Sequence, residues 1–262
     1  MKLSFSNIAW KAEQDEAVYK VLKDYGFSGL EIAPTRIFQD SPYDRLNEAA
    51  EWARQLKSKY SFEISSMQSI WRGRTENLFG SQRERRSLLD YTRKAIDFAE
   101  VIGCHNLVFG CPKNRIVNKN TGTDQVKEIF NCIGNYAYAH NTVFSLEPVS
   151  SAYGTNFATS TDETLQIVKD VNNPGFRLNL DLGTMIGNDE EVDILKGNVR
   201  YINHVHISEP ELKIIRFRGL HDAVLVVLES EGYDRYISVE MKTVNDITKI
   251  NHVCNYLIKI IQ

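Results

Sequence analysis

Four residues of types that bind metal ions end four consecutive strand-like segments in the second half of the 262-residue chain: Glu147, Asp181, His206 and Glu240. Side chains on a strand point alternately to its two faces. In each segment these residues fall on the face opposite most of the Leu, Ile, Val and Phe side chains, Val143 being the exception. If the apolar faces pack under helices, three carboxylates and one imidazole converge on the other side. We interpret this set as the ligands of one divalent cation.

A cation is required because crowded carboxylates repel one another and lose hydration, which forces some of them to bind protons instead. A single glutamate at a strand end is more often solvated or paired with a basic residue. Four matched positions in consecutive segments favour the metal centre. Oxygen donors with one imidazole suit Mn²⁺ best, with Mg²⁺, Co²⁺ and Zn²⁺ as alternatives. His204, on the same face but one layer deeper, is predicted to be a hydrogen-bonded core histidine.

The elements that must position these residues alternate along the whole chain. The predicted strands, rich in β-branched and aromatic residues, span 3–8, 29–33, 62–67, 106–110, 143–147, 176–182, 202–207 and 236–240. Amphipathic helical patterns lie between them, one of them introduced by a capping box from Ser160 to Glu163. Strict alternation implies parallel strands with right-handed crossovers, and eight units favour closure over a sheet with two exposed edges. We predict an α/β fold, a single (β/α)8 TIM-barrel domain over residues 1–262.

Composition narrows the function classes. The 31 basic and 34 acidic residues are mixed along the chain and give a net charge of −3, so no basic surface for nucleic acid is predicted. The four cysteines are scattered without a Cys-x-x-Cys pair, which favours a cytoplasmic location. The sequence has no apolar run of about 18 residues for a membrane helix and no glycine fingerprint for a nucleotide cofactor.

Four motifs in the second half of the chain resemble those of the xylose-isomerase-like barrel superfamily. The motifs are Ser-Leu-Glu-Pro at 145–148, Leu-Asp-Leu-Gly at 180–183, His-Val-His-Ile-Ser-Glu at 204–209 and Ser-Val-Glu-Met-Lys at 238–242. The sugar phosphate isomerase/epimerase members, including the ketose 3-epimerases, are the most similar. The resemblance implies the same four metal ligands, with Glu147 and Glu240 also acting as the catalytic acid and base.

The implied chemistry is proton transfer at a carbon next to a carbonyl. A metal that chelates the carbonyl and the adjacent hydroxyl acidifies that carbon and stabilises the resulting enediolate. Return of the proton to the same carbon gives an epimer, and return to the neighbouring carbon gives an isomer. The substrate is expected to be a small sugar or sugar phosphate. Dehydration of an inosose-type ketone by a lyase on the same scaffold is the first alternative.

The chain departs from the ketose 3-epimerases at two positions. They resemble it but carry a histidine where this chain has Thr184 and an acidic residue where it has Tyr153, which predicts a different substrate or a different sugar position. A non-catalytic sugar-binding barrel is a second alternative. Apurinic endonucleases of the superfamily need a three-metal site, whereas strands 3 and 4 here end in Gln68 and Gly110 without ligand histidines.

The longest irregular stretches, 36–45, 69–81, 113–123 and 149–159, follow strands 2 to 5 and are expected to form the mouth of the site. We predict substrate contacts from one strand end and from loops; the residues are Gln68, Trp71, Lys113, Tyr153, Asn156 and His221. Trp71 suits stacking on a sugar face, although a loop aromatic is as often a packing anchor. A homodimer is the default expectation for such barrels.

Overall fold

Eight parallel strands close into a barrel in chain order, β1 to β8, with β8 paired to β1. The computed structural model describes residues 1–117 and 124–261. The strands are β1 Lys2–Ser6, β2 Gly29–Ile32, β3 Glu63–Met67, β4 Leu107–Phe109, β5 Phe144–Leu146, β6 Phe176–Asp181, β7 Ile202–Ser208 and β8 Tyr236–Glu240. Each boundary lies within two residues of the predicted one. The predicted closed barrel in a single domain is confirmed.

Helices cover the outside of the barrel. They are α1 Asp15–Asp24, α2 Pro34–Ile37, α3 Leu46–Tyr60, α4 Gln82–Ile102, α5 Asp124–Ala139, α6 Thr161–Val171, α7 Leu182–Asn188, α8 Gly219–Ser230 and α9 Ile247–Ile261. The predicted capping box at α6 is half present. Ser160 accepts the Glu163 amide, but the Glu163 carboxylate accepts from the amides of Ala158 and Thr159 instead. Of the predicted mouth loop 113–123, residues 118–123 lie outside the described residues.

The two faces of the barrel wall differ in chemistry. The outward side chains of β4 to β6 pack with helix aromatics, for example Phe130 against Phe176 at 4.6 Å between ring centroids. The inward side chains are largely polar and bond to one another, as Ser145 does when its hydroxyl donates to Asn106 Oδ1 at 2.6 Å. Buried polar groups need such partners. The barrel interior is therefore able to hold charged side chains.

Two further sequence predictions concern the cysteines and membrane-spanning helices. All four cysteines are unpaired. Within residues 1–117 and 124–261, no helix has both the length and the apolar character required to cross a bilayer.

Candidate metal centre

Glu147, Asp181, His206 and Glu240 come together at the carboxyl ends of the strands. Each offers a ligand atom, and these four atoms all lie within 4.8 Å of one another. Asp181 and Glu240 are the last residues of β6 and β8, His206 lies within β7, and Glu147 directly follows β5. The imidazole is fully buried, and the carboxylates are buried or nearly so. The arrangement that strand alternation predicts is thus the one the structure shows.

Asp181 is oriented by the start of helix α7. Its Oδ1 accepts the Thr184 amide at 2.6 Å as the helix cap, and its Oδ2 accepts the Ser208 hydroxyl. Ser208 in turn accepts the Gly183 amide at 2.8 Å. The groups that bond the Asp181 carboxylate are a backbone amide and a short serine side chain on regular elements. The carboxylate therefore has little rotational freedom.

Glu147 occupies a niche between β4 and β6. Its Oε1 accepts from Asn179 Nδ2 at 2.8 Å, and its backbone carbonyl accepts from the buried Arg115 Nη1 at 2.7 Å. Across the niche is Gly110, where an added Cβ would lie 1.9 Å from Glu147 Oε2. A side chain at position 110 would require this carboxylate to move from its observed position. The sequence after β4 therefore shapes the site through the absence of a side chain.

Glu240 is held from the opposite side of the barrel. Its Oε1 accepts from Gln68 Nε2 at 2.9 Å, and the same nitrogen lies 3.2 Å from Ser6 Oγ. The Ser69 hydroxyl donates to Gln68 Oε1, which fixes the direction in which the amide points. Gln68 was predicted as a substrate contact, and the structure places it beside a predicted metal ligand.

His206 lies between the carboxylates. Its Nδ1 is 2.8 Å from Glu147 Oε1 and 3.3 Å from Glu240 Oε2, and its Nε2 is 2.7 Å from Oε2 of Glu31. Burial opposes the charged imidazole, but the surrounding carboxylates outweigh it and raise the pKa of His206 well above its usual value. The ring therefore sits in a strongly negative environment.

The electrostatics of the carboxylates fit a divalent cation. Burial raises the pKa of Glu147 and of Glu240, and the Asp181 charge adds to the effect at both sites. Three carboxylates and an imidazole, without a thiolate, form an oxygen-rich donor set of the kind that Mn²⁺ and related ions prefer. A cation at this point removes the repulsion that otherwise drives protonation.

Two adjoining clefts open onto the centre, with volumes of about 330 Å³ and 550 Å³, and Glu147 and Glu240 line both. Three of the predicted substrate contacts border these clefts. Tyr153, which is 46% exposed, borders the smaller cleft, while Gln68 and Lys113 border the larger. A small polar molecule fits a space of this size.

The other three predicted contacts have structural partners instead. Trp71 reaches the edge of the larger cleft but is only 1% exposed, and its indole nitrogen donates to Thr92. Asn156 lies outside both clefts and bonds the backbone of Val117 through both side-chain atoms. His221 lies in helix α8 and not in a loop as predicted; it is outside both clefts and fully buried against the Tyr256 hydroxyl. The structure therefore leaves Asn156 and His221 outside the substrate space and places Trp71 at its edge with the ring buried.

Three residues next to the ligands were missed from the sequence: Glu31, Asn179 and Ser208. Asn179 and Ser208 occupy the same inner face as the ligands, two residues from Asp181 and His206. Glu31 occupies the inner face of β2, opposite Leu30 and Ile32. Extending the alternation argument to β2 and to one layer below the ligands would have identified them.

A larger cavity of about 1010 Å³ opens at the other end of the barrel. Its lining residues come from the strand starts, among them Arg177, Asn203 and Tyr236. In barrels of this kind the amino ends of the strands serve stability and the carboxyl ends carry the chemistry. The size of this cavity is therefore not evidence for a second active site.

Comparisons with known proteins agree with the fold. No curated protein matched the sequence. D-psicose 3-epimerase, in a structure determined with D-fructose, has a TM-score of 0.77 at 17% identity, covering 98% of this chain and 97% of its own. For 3-keto-D-glucoside 4-epimerase from E. coli, the TM-score is 0.74 at 16% identity, with 99% of each chain covered.

The IOLI protein, in a structure with a zinc atom, has a TM-score of 0.73 at 14% identity, covering 100% of this chain and 98% of its own. These likenesses support the fold. The family model described as xylose isomerase-like TIM barrel matches residues 19–259, which is most of the chain. The chain belongs to the xylose isomerase-like TIM barrel family.

Proposed function

We propose that this protein is an enzyme that isomerises or epimerises a small sugar or sugar phosphate with the help of one divalent cation. The cation would be held by Glu147, Asp181, His206 and Glu240, and Mn²⁺ is our first candidate. The observation that carries the proposal is the convergence of these four ligand atoms within 4.8 Å at the open end of the barrel. The names of the two epimerases among the structural neighbours support a sugar substrate.

The cation would polarise a substrate carbonyl and acidify the neighbouring carbon. Glu147 and Glu240 line both clefts and come from strands β5 and β8, which are separated by two strands in the barrel. One of them removes the carbon-bound proton and the other returns it. Burial and the neighbouring carboxylates raise the pKa of both groups in the metal-free protein, and a bound cation would oppose that rise and favour the ionised form that a base requires.

Hydrogen bonds from neighbouring side chains fix the orientation of the Glu147 and Glu240 carboxylates. Asn179 holds Glu147 at 2.8 Å, and Gln68 holds Glu240 at 2.9 Å. Both donors are uncharged amides, so they orient the carboxylates without neutralising them. Each amide therefore fixes the position of a carboxylate and lowers its proton affinity less than a cationic partner would.

The rim of the larger cleft is cationic. Arg72, Lys113 and Lys242 line it and form no ion pair with any residue in the described part of the chain. The floor carries the carboxylates. A sugar with a phosphate at one end matches this distribution, and an unmodified sugar remains the other candidate.

The two departures from the ketose 3-epimerases have structural roles of their own. The Thr184 hydroxyl donates to the Pro148 carbonyl at 2.9 Å, and the Tyr153 hydroxyl accepts the Glu211 amide at 2.6 Å. Neither group supplies the imidazole or the carboxylate that the ketose 3-epimerases carry there, although the Tyr153 hydroxyl keeps a hydrogen that can be donated to a substrate oxygen. This supports a substrate, or a reacting carbon, different from that of a ketose 3-epimerase.

Metal analysis combined with a solvent deuterium-exchange screen tests the proposal. The purified protein is assayed for bound Mn²⁺, Mg²⁺, Co²⁺ and Zn²⁺, then incubated in D₂O with ketoses, ketose phosphates and inososes. Deuterium at a carbon next to the carbonyl, abolished in Glu147→Gln and Glu240→Gln, is the expected result. Loss of water from the product would identify a lyase. A protein that binds no metal and exchanges no proton would be a non-catalytic sugar-binding barrel.

The assembly and location follow from separate measurements. We propose a cytoplasmic homodimer that binds neither nucleic acid nor membranes. Light scattering gives the oligomeric state, and the four unpaired cysteines fit a reducing compartment.

A further inference from the structure

One buried carboxylate beside the centre has no part in the chemistry described above. Glu31 on β2 is 0% exposed, and its Oε2 lies 2.7 Å from His206 Nε2 and 3.3 Å from His204 Nε2. Its Oε1 has no hydrogen-bond partner among residues 1–117 and 124–261. Burial of an incompletely paired carboxylate is costly. Such a group requires an explanation.

The two nitrogens of His206 face different groups. Nε2 points to Glu31, whereas Nδ1 points to Glu147 and Glu240 and lies 3.2 Å from the Asn179 amide nitrogen, a donor that also supports a lone pair on Nδ1. A neutral imidazole carries one hydrogen and one free lone pair, and the partner of one nitrogen decides which nitrogen is which. An ionised carboxylate only accepts, so Glu31 places the hydrogen on Nε2. The lone pair is then on Nδ1, where the other carboxylates converge.

The opposite tautomer fails on the same geometry. With a cation held by the other three ligands, a bare Nδ1 and the carboxylates around it would share the metal, whereas a bare Nε2 would face the Glu31 carboxylate at 2.7 Å with nothing between the two acceptors. The opposite tautomer would also direct an N–H, instead of a lone pair, at the centre. Both consequences oppose metal binding.

The backbone is built to place this carboxylate. The pairing of β2 with β3 shifts register between Leu30 and Glu31, and such irregularities re-aim the side chain that follows. His204, from the layer below, contacts the same Glu31 oxygen and is 2.8 Å from Ser238 Oγ. The contact with His204 therefore holds the Glu31 carboxylate in place, and the carboxylate in turn fixes the orientation of the His206 ring.

We infer that Glu31 is a positioning residue that fixes His206 as an Nδ1 ligand of the divalent cation. The inference rests on the proposed function, because it assumes the metal centre. Glu31 contacts neither cleft, so it acts through His206 alone. Its removal should weaken metal binding before it affects any step of the reaction.

Two variants and one control test the inference. Glu31→Leu removes the acceptor and fills a similar volume, whereas Glu31→Gln can still accept from Nε2 but lacks the charge. The control Glu63→Gln alters a carboxylate at the start of β3, where its partner is the Tyr236 hydroxyl at 2.9 Å. Mn²⁺ affinity is measured by calorimetry, and the absorption spectrum of bound Co²⁺ reports the ligand geometry.

We expect Glu31→Leu to weaken Mn²⁺ binding about 10- to 100-fold, as loss of the partner of a metal-bound histidine typically does. Glu31→Gln should fall between Glu31→Leu and the wild type, and the control should match the wild type. The Co²⁺ spectrum should change in Glu31→Leu. In the zinc-loaded wild type, proton–nitrogen correlation spectra should show the His206 hydrogen on Nε2.

The outcomes separate the two proposals. Wild-type protein that binds none of the tested metals overturns the metal centre and the role of Glu31 with it. Wild-type protein that binds Mn²⁺ while Glu31→Leu binds it equally well overturns only the role of Glu31. If Glu31→Leu does not fold, the wild-type spectrum decides, because a hydrogen on Nδ1 in the zinc-loaded protein contradicts the inference.

Discussion

The substitution Gly110→Ala tests whether metal binding and catalysis depend on the observed position of the Glu147 carboxylate. The new Cβ would be 1.9 Å from Glu147 Oε2, and real Cβ contacts below 3.0 Å are essentially never seen. The carboxylate must therefore retreat by roughly 1 Å, a distance known to matter for catalysis. Gly110 does not have a positive φ, so alanine adds little backbone strain. The perturbation reaches the site through one side chain.

The expected loss follows from that displacement. A misplacement of about 1 Å costs on the order of 100-fold in rate, which corresponds to about 2.7 kcal/mol of transition-state stabilisation. We expect kcat/KM for deuterium exchange to fall by about this factor and Mn²⁺ affinity to fall with it. The melting temperature of the metal-free protein should change little, because the displaced group is at the edge of a cleft.

A control and a compensating change make the test specific. Gly219→Ala adds a methyl group where no atom lies within 4 Å, and it should match the wild type. Glu147→Asp withdraws the carboxylate by one methylene, so combining it with Gly110→Ala should cost less than the two single losses together. Wild-type metal affinity and exchange rate in Gly110→Ala would refute the reasoning about the niche.

Three further predictions use other parts of the site. Burial and neighbouring carboxylates raise the pKa of Glu147, so the folded metal-free chain holds a proton that the unfolded chain releases; this stability is present at acidic pH and lost as pH rises through the raised pKa. In EDTA, the melting temperature of Glu147→Gln should therefore fall less with rising pH than that of the wild type. Mn²⁺ should raise the wild-type melting temperature most at alkaline pH. Trp71→Ala should lower the free energy of unfolding by about 3–5 kcal/mol in urea titrations, because the ring is core; a change confined to KM would instead favour sugar stacking. Gln68→Leu leaves Glu240 without its amide donor and should weaken Mn²⁺ binding about 10-fold by calorimetry, whereas unchanged affinity would show that the bond does not orient the ligand.

The fold was predictable because it depends on patterns that the sequence displays directly. Alternating strand and helix periodicities specify parallel strands, and the number of units specifies closure. The convergence of the four candidate ligands was also predictable, since each of them lies on the inner face of the barrel at the carboxyl end of its strand or just after it. What the alternation needs is only a regular strand with an apolar outer face.

No comparable periodicity predicts the contacts of side chains outside the strands. Trp71, Asn156 and His221 were chosen by residue type and position after a strand, yet their polar atoms bond Thr92, Val117 and Tyr256. Each bond joins residues 21 to 39 positions apart. Residue type indicates what a side chain can contact, and the three-dimensional path of the loop decides what it does contact.

The residues that hold His206 were harder to predict for a different reason. Glu31 follows the register shift between Leu30 and Glu31, and Asn179 follows the shift between Leu178 and Asn179. At such irregularities a strand twists and the following side chain is redirected. Alternation places Glu31 and Asn179 on the inner face, but the register shifts decide which ligand each of them reaches, and one sequence does not display those shifts. Those shifts place Glu31 at Nε2 of His206 and Asn179 at Oε1 of Glu147, so the local cost of breaking the ladder is offset by two candidate ligands held in place.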